Sequence, residues 1–274
     1  FLRNYAMERF LERLSASKYR NCFILKGGML ISAMVGIDSR ATMDIDTTLR
    51  NYPLNCESAE QIVRQIADVE IDDRISFVIK KTEEIMEDSE YQGVRLSLDA
   101  YLDKTRIPLK IDISTGDVIT PCEISFSYQL MFENRTIPLL AYPPETVLAE
   151  KLETILSRGE ANTRLRDFYD VYILQREDFV VTPDALCHAL LATCRKRGHE
   201  DLLHTYASIL DRVRQSDTMR TQWMKYQSDF DYAAGITWDT VLDTVETLCM
   251  KTLDDHAFGD ELPQEESQFE MHLL

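Results

Sequence analysis

Asp44 and Asp46, in Met43–Asp44–Ile45–Asp46, are the residues with the strongest claim to chemistry. In an extended strand, residues i and i+2 face the same way, about 7 Å apart along the backbone. Two carboxylates held this close repel one another unless a cation sits between them. Mg²⁺ suits such a pair, because it takes hard oxygens from one or two carboxylates and fills its octahedron with water and substrate phosphate. An Asp-x-Asp on a strand is by itself a common solvated face, so the surrounding residues must decide. Upstream, Lys26–Gly27–Gly28 ends an apolar run and opens a helix. Glycines there let backbone N–H groups approach phosphate, and a helix N-terminus favours an anion; an ordinary tight turn would use them too. Downstream, Leu109–Lys110–Ile111–Asp112–Ile113 is an apolar strand in which Asp112 shares a face with Lys110. A third acid beside the pair lets two metal ions be bridged, as an in-line phosphoryl displacement needs.

A second set of charges follows. Lys151 stands beside Glu150 on a helical stretch that is otherwise apolar at Val147, Leu148, Leu152 and Ile155. A lysine is a common phosphate binder, and equally a common partner for a neighbouring Glu150 or Glu153. Arg164, Arg166, Asp167 and Asp170 alternate in sign within two turns, the pattern of a surface salt-bridge ladder. Phe168, Tyr169, Val171, Tyr172 and Leu174 make the same helix apolar over much of its circumference. The charges must then share a narrow face, set against the first half or lining a cleft. Arg195–Lys196–Arg197 with His199, followed by Arg212, Arg214, Arg220 and Lys225, is the densest basic region. It would suit RNA, but Gly198 after Arg197 reads as the residue that ends a helix, whose last turn favours bases. Trp223, Tyr226, Phe230 and Tyr232 fit core packing better than base stacking.

These residues need elements to position them. Helical spacing covers 2–18, 29–35 and 58–67, the last with Ser58 as its cap. Strand patterns cover 21–26, 44–49, 75–80, 92–101 and 109–114, with edge strands at 125–132 and 136–140. Tyr142–Pro143–Pro144 is the clearest break. Beyond it only helices follow, at 145–158, 164–175, 183–197, 200–215, 217–232 and 238–252. The expected fold is α+β: a mixed-sheet α/β domain over 1–141, a helical domain over 142–252, and an acidic tail over 253–274.

Composition sets the limits. The chain has 274 residues, 45% hydrophobic and 28% charged, with a net charge of −17. That opposes non-specific binding to nucleic acid or anionic lipid without excluding a local basic patch. Residues 252–274 hold seven acids and no Lys or Arg, the composition of a mobile or loosely docked tail. The apolar stretch 22–37 is too short to span a bilayer and is broken by Lys26 and two glycines, and no leader pattern is present. The six cysteines are scattered, which fits reduced thiols and a cytoplasmic location. Cys187, His188, Cys194 and His199 match no zinc spacing, and Ser32, Ser39, Thr42 and His188 make no nucleophile set. There is no P-loop and no GxGxxG.

Gly27–Gly28, Asp44-x-Asp46 and the later Asp112 together resemble the polymerase-β-like nucleotidyltransferase fold. The Gly28–Asp44 interval is longer than usual, and Thr47 stands where an apolar residue is common. Glu150–Lys151–Leu152 and Arg164-x-Arg166–Asp167–Phe168–Tyr169–Asp170, with Lys26–Gly27–Gly28, Arg40-x-Thr42-x-Asp44 and Lys110–Ile111–Asp112–Ile113, resemble the AbiEii/AbiGii-type toxin family over roughly residues 20–176. That resemblance implies a Mg²⁺-dependent nucleotidyltransferase, with one or two ions on Asp44, Asp46 and Asp112. Lys151 and Asp167 would complete the catalytic set. Lys26, Gly27, Gly28, Arg40, Lys151, Arg166 and Asp170 would hold the nucleotide. It further implies an NTP donor, an RNA acceptor (tRNA in some members) or a protein acceptor, and a cognate antitoxin. A non-catalytic nucleotide- or partner-binding member, and an aminoglycoside-type transferase, are the alternatives.

Overall fold

The computed structural model describes residues 1–36, 38–87, 91–176 and 181–254. Helix α1 (Leu2–Ala16) buries Met7, Phe10, Leu11 and Leu14, one apolar stripe at helical spacing. Strand β1 (Phe23–Lys26) runs directly into α2 (Gly27–Val35), and β2 (Ile45–Leu49) follows. Helix α3 (Cys56–Ala67) is capped by Asn55, whose side chain accepts from the Ser58 N–H. Ser58 is therefore not the cap: it sits one turn in and returns a bond to the Asn55 backbone, closing a capping box. Strands β3 (Ile75–Glu87), β4 (Tyr91–Leu102) and β5 (Thr105–Ser114) form an antiparallel meander, each longer than the alternating core of its pattern. Strands β6 (Ile124–Gln129) and β7 (Thr136–Ala141) complete a seven-stranded sheet of order β3-β4-β5-β2-β1-β7-β6.

The sheet is mixed: β2 pairs parallel to β5 and β1 parallel to β7, and the other neighbours run antiparallel. Of the two expected edge strands only β6 is one. β7 is interior because β1 needs a partner on the side away from β2, and the alternation of 136–140 says nothing of neighbours. β5 is interior too, which matters for Asp112.

After Pro143 every described element is helical: α4 (Pro144–Arg158), α5 (Leu165–Arg176), α6 (Pro183–Lys196), α7 (Leu202–Gln215), α8 (Asp217–Asp229) and α9 (Trp238–Leu253). Pro144 and Pro183 open their helices at the position where a missing N–H costs nothing. Helix α6 ends as its sequence suggests. Gly198 turns left-handed (φ +68°), and the N–H groups of Gly198 and His199 return to the carbonyls of Arg195 and Cys194. Cys187 and Cys194 are buried thiols on this helix. The acidic tail expected over 253–274 lies outside the described residues except for Leu253 and Asp254, which end α9. One apolar core runs through both halves, from α1 and the sheet to α4, α5 and α9. Among the described residues no helix is long and apolar enough to cross a membrane.

Candidate active site

Strand register lines up four charges. Lys26 on β1 pairs with Asp46 on β2, Asp46 with Asp112 on β5, and Asp112 with Arg95 on β4. Residues opposite one another in a sheet share a face, so the row reads plus, minus, minus, plus. Asp44 stands in a bend one residue before β2 begins. Burial raises the Asp44 carboxyl above its ordinary range, and the negative charge of Asp112 adds to the rise. Asp112 is held by Arg95 through two bonds of 2.8 and 2.5 Å. Sequence reasoning missed Arg95, because alternation gives a residue's face but not the register that sets its neighbour.

Gly27 and Gly28 sit against the acids. Gly27 has φ +62°, and a Cβ there would lie 2.2 Å from Asp46 Oδ2, so only glycine fits. The Gly28 N–H donates to the same oxygen over 3.2 Å. Lys26 reaches past the loop to Asp117 (3.0 Å), which also accepts from Thr48 (2.5 Å), Ser114 (2.6 Å) and Tyr142 (2.9 Å). Burial alone would raise the Asp117 carboxyl, but Lys26 and the hydroxyls outweigh it and hold it down to about 2. Asp117 was missed as well. Its only signal is the Ser114–Thr115–Gly116–Asp117 turn directly after a strand, which many proteins share.

The helical half builds a second charged cluster. Lys151 Nζ on α4 lies 2.5 Å from Asp167 Oδ1 and 3.2 Å from Asp170 Oδ2, both on α5. Asp170 also takes Arg40 through two bonds, 2.6 and 3.1 Å long, and both side chains are almost wholly buried. Tyr169 OH donates to the Ser39 carbonyl over 2.5 Å, fixing the same segment. Burial opposes charge on Lys151, yet Asp167 and Asp170 push its pKa up; burial likewise opposes charge on Asp170, yet Arg40 and Lys151 pull its pKa down. These charges are therefore not a surface ladder: the ladder pattern is the same, but the apolar faces beside it draw the acids inward. Asp167 Oδ2 is buried and has no hydrogen-bond partner among the described residues.

Between the halves lies a cavity of about 780 Å³, within the roughly 300–1,000 Å³ common for small-ligand sites. Lys26, Gly27, Gly28, Arg40, Asp44 and Asp46 line one side; Lys151, Asp167 and Arg166 line the other, with Glu150 and Arg197. Helix α8 adds Gln222, Lys225 and Tyr226. Asp112 lies off this lining, against Arg95, and Asp170 lies behind Arg40. Most of the basic region is matched by acids: Arg195 by Glu200, Arg214 by Asp243 and Glu246, Arg220 by Asp239. Trp223 and Tyr226 pack in the core with Tyr169 and Trp238.

The residues present fit a hard dication in part. Asp44 and Asp46 face the cavity, and Asp44 is held where negative charge is uncomfortable. Among the described residues no three His, Cys, Asp or Glu side chains cluster as a metal cage. A site here would rest on the two aspartates with water and phosphate, as Mg²⁺ accepts.

No curated protein sequence matches the chain. Among solved structures, JHP933 of Helicobacter pylori is similar at 14% identity and a TM-score of 0.49, with 93% of each chain covered. A second H. pylori protein, named as a candidate nucleotidyltransferase, is similar at 14% identity and a TM-score of 0.48, with 92% of this chain and 95% of that one covered. The family model described as "Nucleotidyl transferase AbiEii toxin, Type IV TA system" matches residues 9–244. That reaches well beyond the 20–176 legible from motifs, because the later helices carry pattern but no motif. The chain, with its α+β fold, belongs to the AbiEii nucleotidyl transferase toxins of type IV toxin–antitoxin systems.

Proposed function

We propose that this toxin transfers a nucleotidyl group from an NTP to an RNA acceptor in the cytoplasm, with Mg²⁺ held by Asp44 and Asp46. In this reading residues 1–141 hold the donor's phosphates and residues 142–252 close the site. One observation carries it: a single cavity joins the Gly27–Gly28 turn and the Asp44/Asp46 pair to Lys151 and Asp167. Bound Mg²⁺ would neutralise charge on the phosphates and lower the pKa of the attacking hydroxyl. The chain's own groups do the rest. The α2 N-terminus presents amide donors beside Asp46. Lys151, held charged by Asp167 and Asp170, supplies a fixed cation for phosphate. Asp167 keeps one buried oxygen open to accept from a hydroxyl of the nucleotide or acceptor. The family implies a cognate antitoxin.

The test is incubation with Mg²⁺, each α-³²P-labelled NTP and total RNA. Label should enter a discrete RNA band, and Asp46→Asn should lower the rate by about 10²–10³, the scale of losing one transition-state charge partner. Asn can still accept from Gly28, so the melting temperature should hold. Equal labelling by the variant would sink the metal assignment, and label on the protein alone would overturn RNA as acceptor.

A further inference from the structure

The cavity is not uniform. Around Asp44, Asp46, Lys26 and Lys151 it is lined by charge, the chemistry of phosphate and metal. Toward α8 an aromatic ring and an amide join the charges of Lys225 and Asp229 in the lining. Phe230, just past the end of α8, presents a half-buried ring to the cavity, and the Arg166 guanidinium from α5 lies 5.4 Å from the ring centre. Tyr226 and Tyr232 pack against that ring at 4.8 and 5.3 Å, so its plane is fixed from behind. Gln222, about two turns back along α8, also lines the cavity, and its Oε1 is buried with no hydrogen-bond partner among the described residues. A buried amide oxygen without a donor costs free energy that a ligand donor would recover.

A flat cation on a flat ring, beside an unmatched amide, does not suit a phosphate. It suits a flat heterocycle with N–H donors on its edge, since bases pile on aromatic rings and on guanidinium planes and are told apart by edge hydrogen bonds. We propose that this wall of Gln222, Phe230 and Arg166 is the subsite for the base of the donor nucleotide, and that it sets which NTP is used. The proposal rests on the nucleotidyltransferase reading of the same cavity: the charged end takes the triphosphate and the α8 end the base. The donor is favoured over the acceptor's terminal base because one covalent ligand then spans both ends of one cavity.

The test is titration calorimetry in Mg²⁺ with ATP, GTP, CTP, UTP and tripolyphosphate, which has no base. Wild-type protein should bind at least one NTP about tenfold more tightly than tripolyphosphate, the worth of one stacked base. Phe230→Leu, which keeps the packing on Tyr226 and Tyr232, should remove most of that advantage and leave tripolyphosphate binding within twofold. Gln222→Ala should flatten the differences among the four NTPs. Unchanged tripolyphosphate binding certifies the fold of each variant; if a variant loses it, Phe230→Tyr and Gln222→Glu replace the pair, the first expected to keep the NTP advantage and the second to reorder the four affinities. Variants that keep both the advantage and the order would overturn the subsite, as would variants with normal NTP binding but altered choice of RNA end, which would give the wall to the acceptor. Wild-type protein that binds neither tripolyphosphate nor any NTP would instead overturn the nucleotide reading, and the subsite with it.

Discussion

Two groups of aspartates face each other across the cavity and are treated in opposite ways. On the sheet side, Asp44 is half-buried near Asp112 with its charge disfavoured, and Asp46 has an amide donor in Gly28. On the helices, Asp170 is wholly enclosed and its charge is answered by Arg40 and Lys151. A buried carboxylate with an internal partner is structural glue, and breaking such a pair is expensive. A carboxylate held in discomfort is a place for something that arrives from outside. The lesson is that residue type and spacing locate both groups alike, and only the partner tells what each is for.

The sharpest way to break this contrast is Asp170→Asn. It strips Arg40 of its buried counter-charge and should cost about 3–5 kcal/mol. The melting temperature should drop by roughly 10 °C, and a thermal scan showing no drop would erase the distinction between the groups.

Asp117 tests the same idea through pH. Its folded pKa, about 2, lies below the ordinary 3.8, so its contribution of about 2 kcal/mol is present above pH 4 and fades as pH falls toward 2. Urea unfolding of wild type and Asp117→Asn should show a gap at pH 7 that narrows over that acid range. A gap constant with pH would mean that packing, not charge, accounts for it.

Arg95→Met sharpens the strand side. Freed from Arg95, Asp112 becomes available beside Asp46, and Mg²⁺ should bind several-fold more tightly in a calorimetric titration. Unaltered affinity would confine Asp112 to holding the sheet.

The smallest effect runs against intuition. Asp44→Asn removes a disfavoured charge, so without metal the protein should melt slightly higher while losing activity. A clear loss of stability by differential scanning fluorimetry in EDTA would put Asp44 with the structural acids.

Much of this was legible in the residues themselves. Periodicity locates most of the elements, and Gly27–Gly28 and Asp44–Asp46 stand out by type and spacing, whereas Lys151 and Asp167 are singled out only by the resemblance to the toxin family. What stayed hidden was pairing. Arg40 meets Asp170 across 130 positions of chain and Lys26 meets Asp117 across 91. No local rule carries such contacts, because they depend on strand order and on how α5 docks. The same ignorance of order made β7 an expected edge strand, and a two-sided exchange at Asn55 and Ser58 was read as a single cap. Gln222 gave no signal at all, since an amide on a helix is ordinary until its surroundings leave it without a partner.

The pairing of Arg40 with Asp170 has a consequence in time. During synthesis the Asp44–Asp46 pair leaves the ribosome early, while α5 and then α8 follow only after the whole sheet has been made. Strand β1 itself waits for β7 before both its edges are covered. At the usual pace of translation, about 5–20 residues per second, Asp44 and Asp46 exist for many seconds without the wall that completes their cavity. A nascent or prematurely terminated chain therefore carries the Asp44-x-Asp46 pair but not the enclosure that α5 and α8 supply.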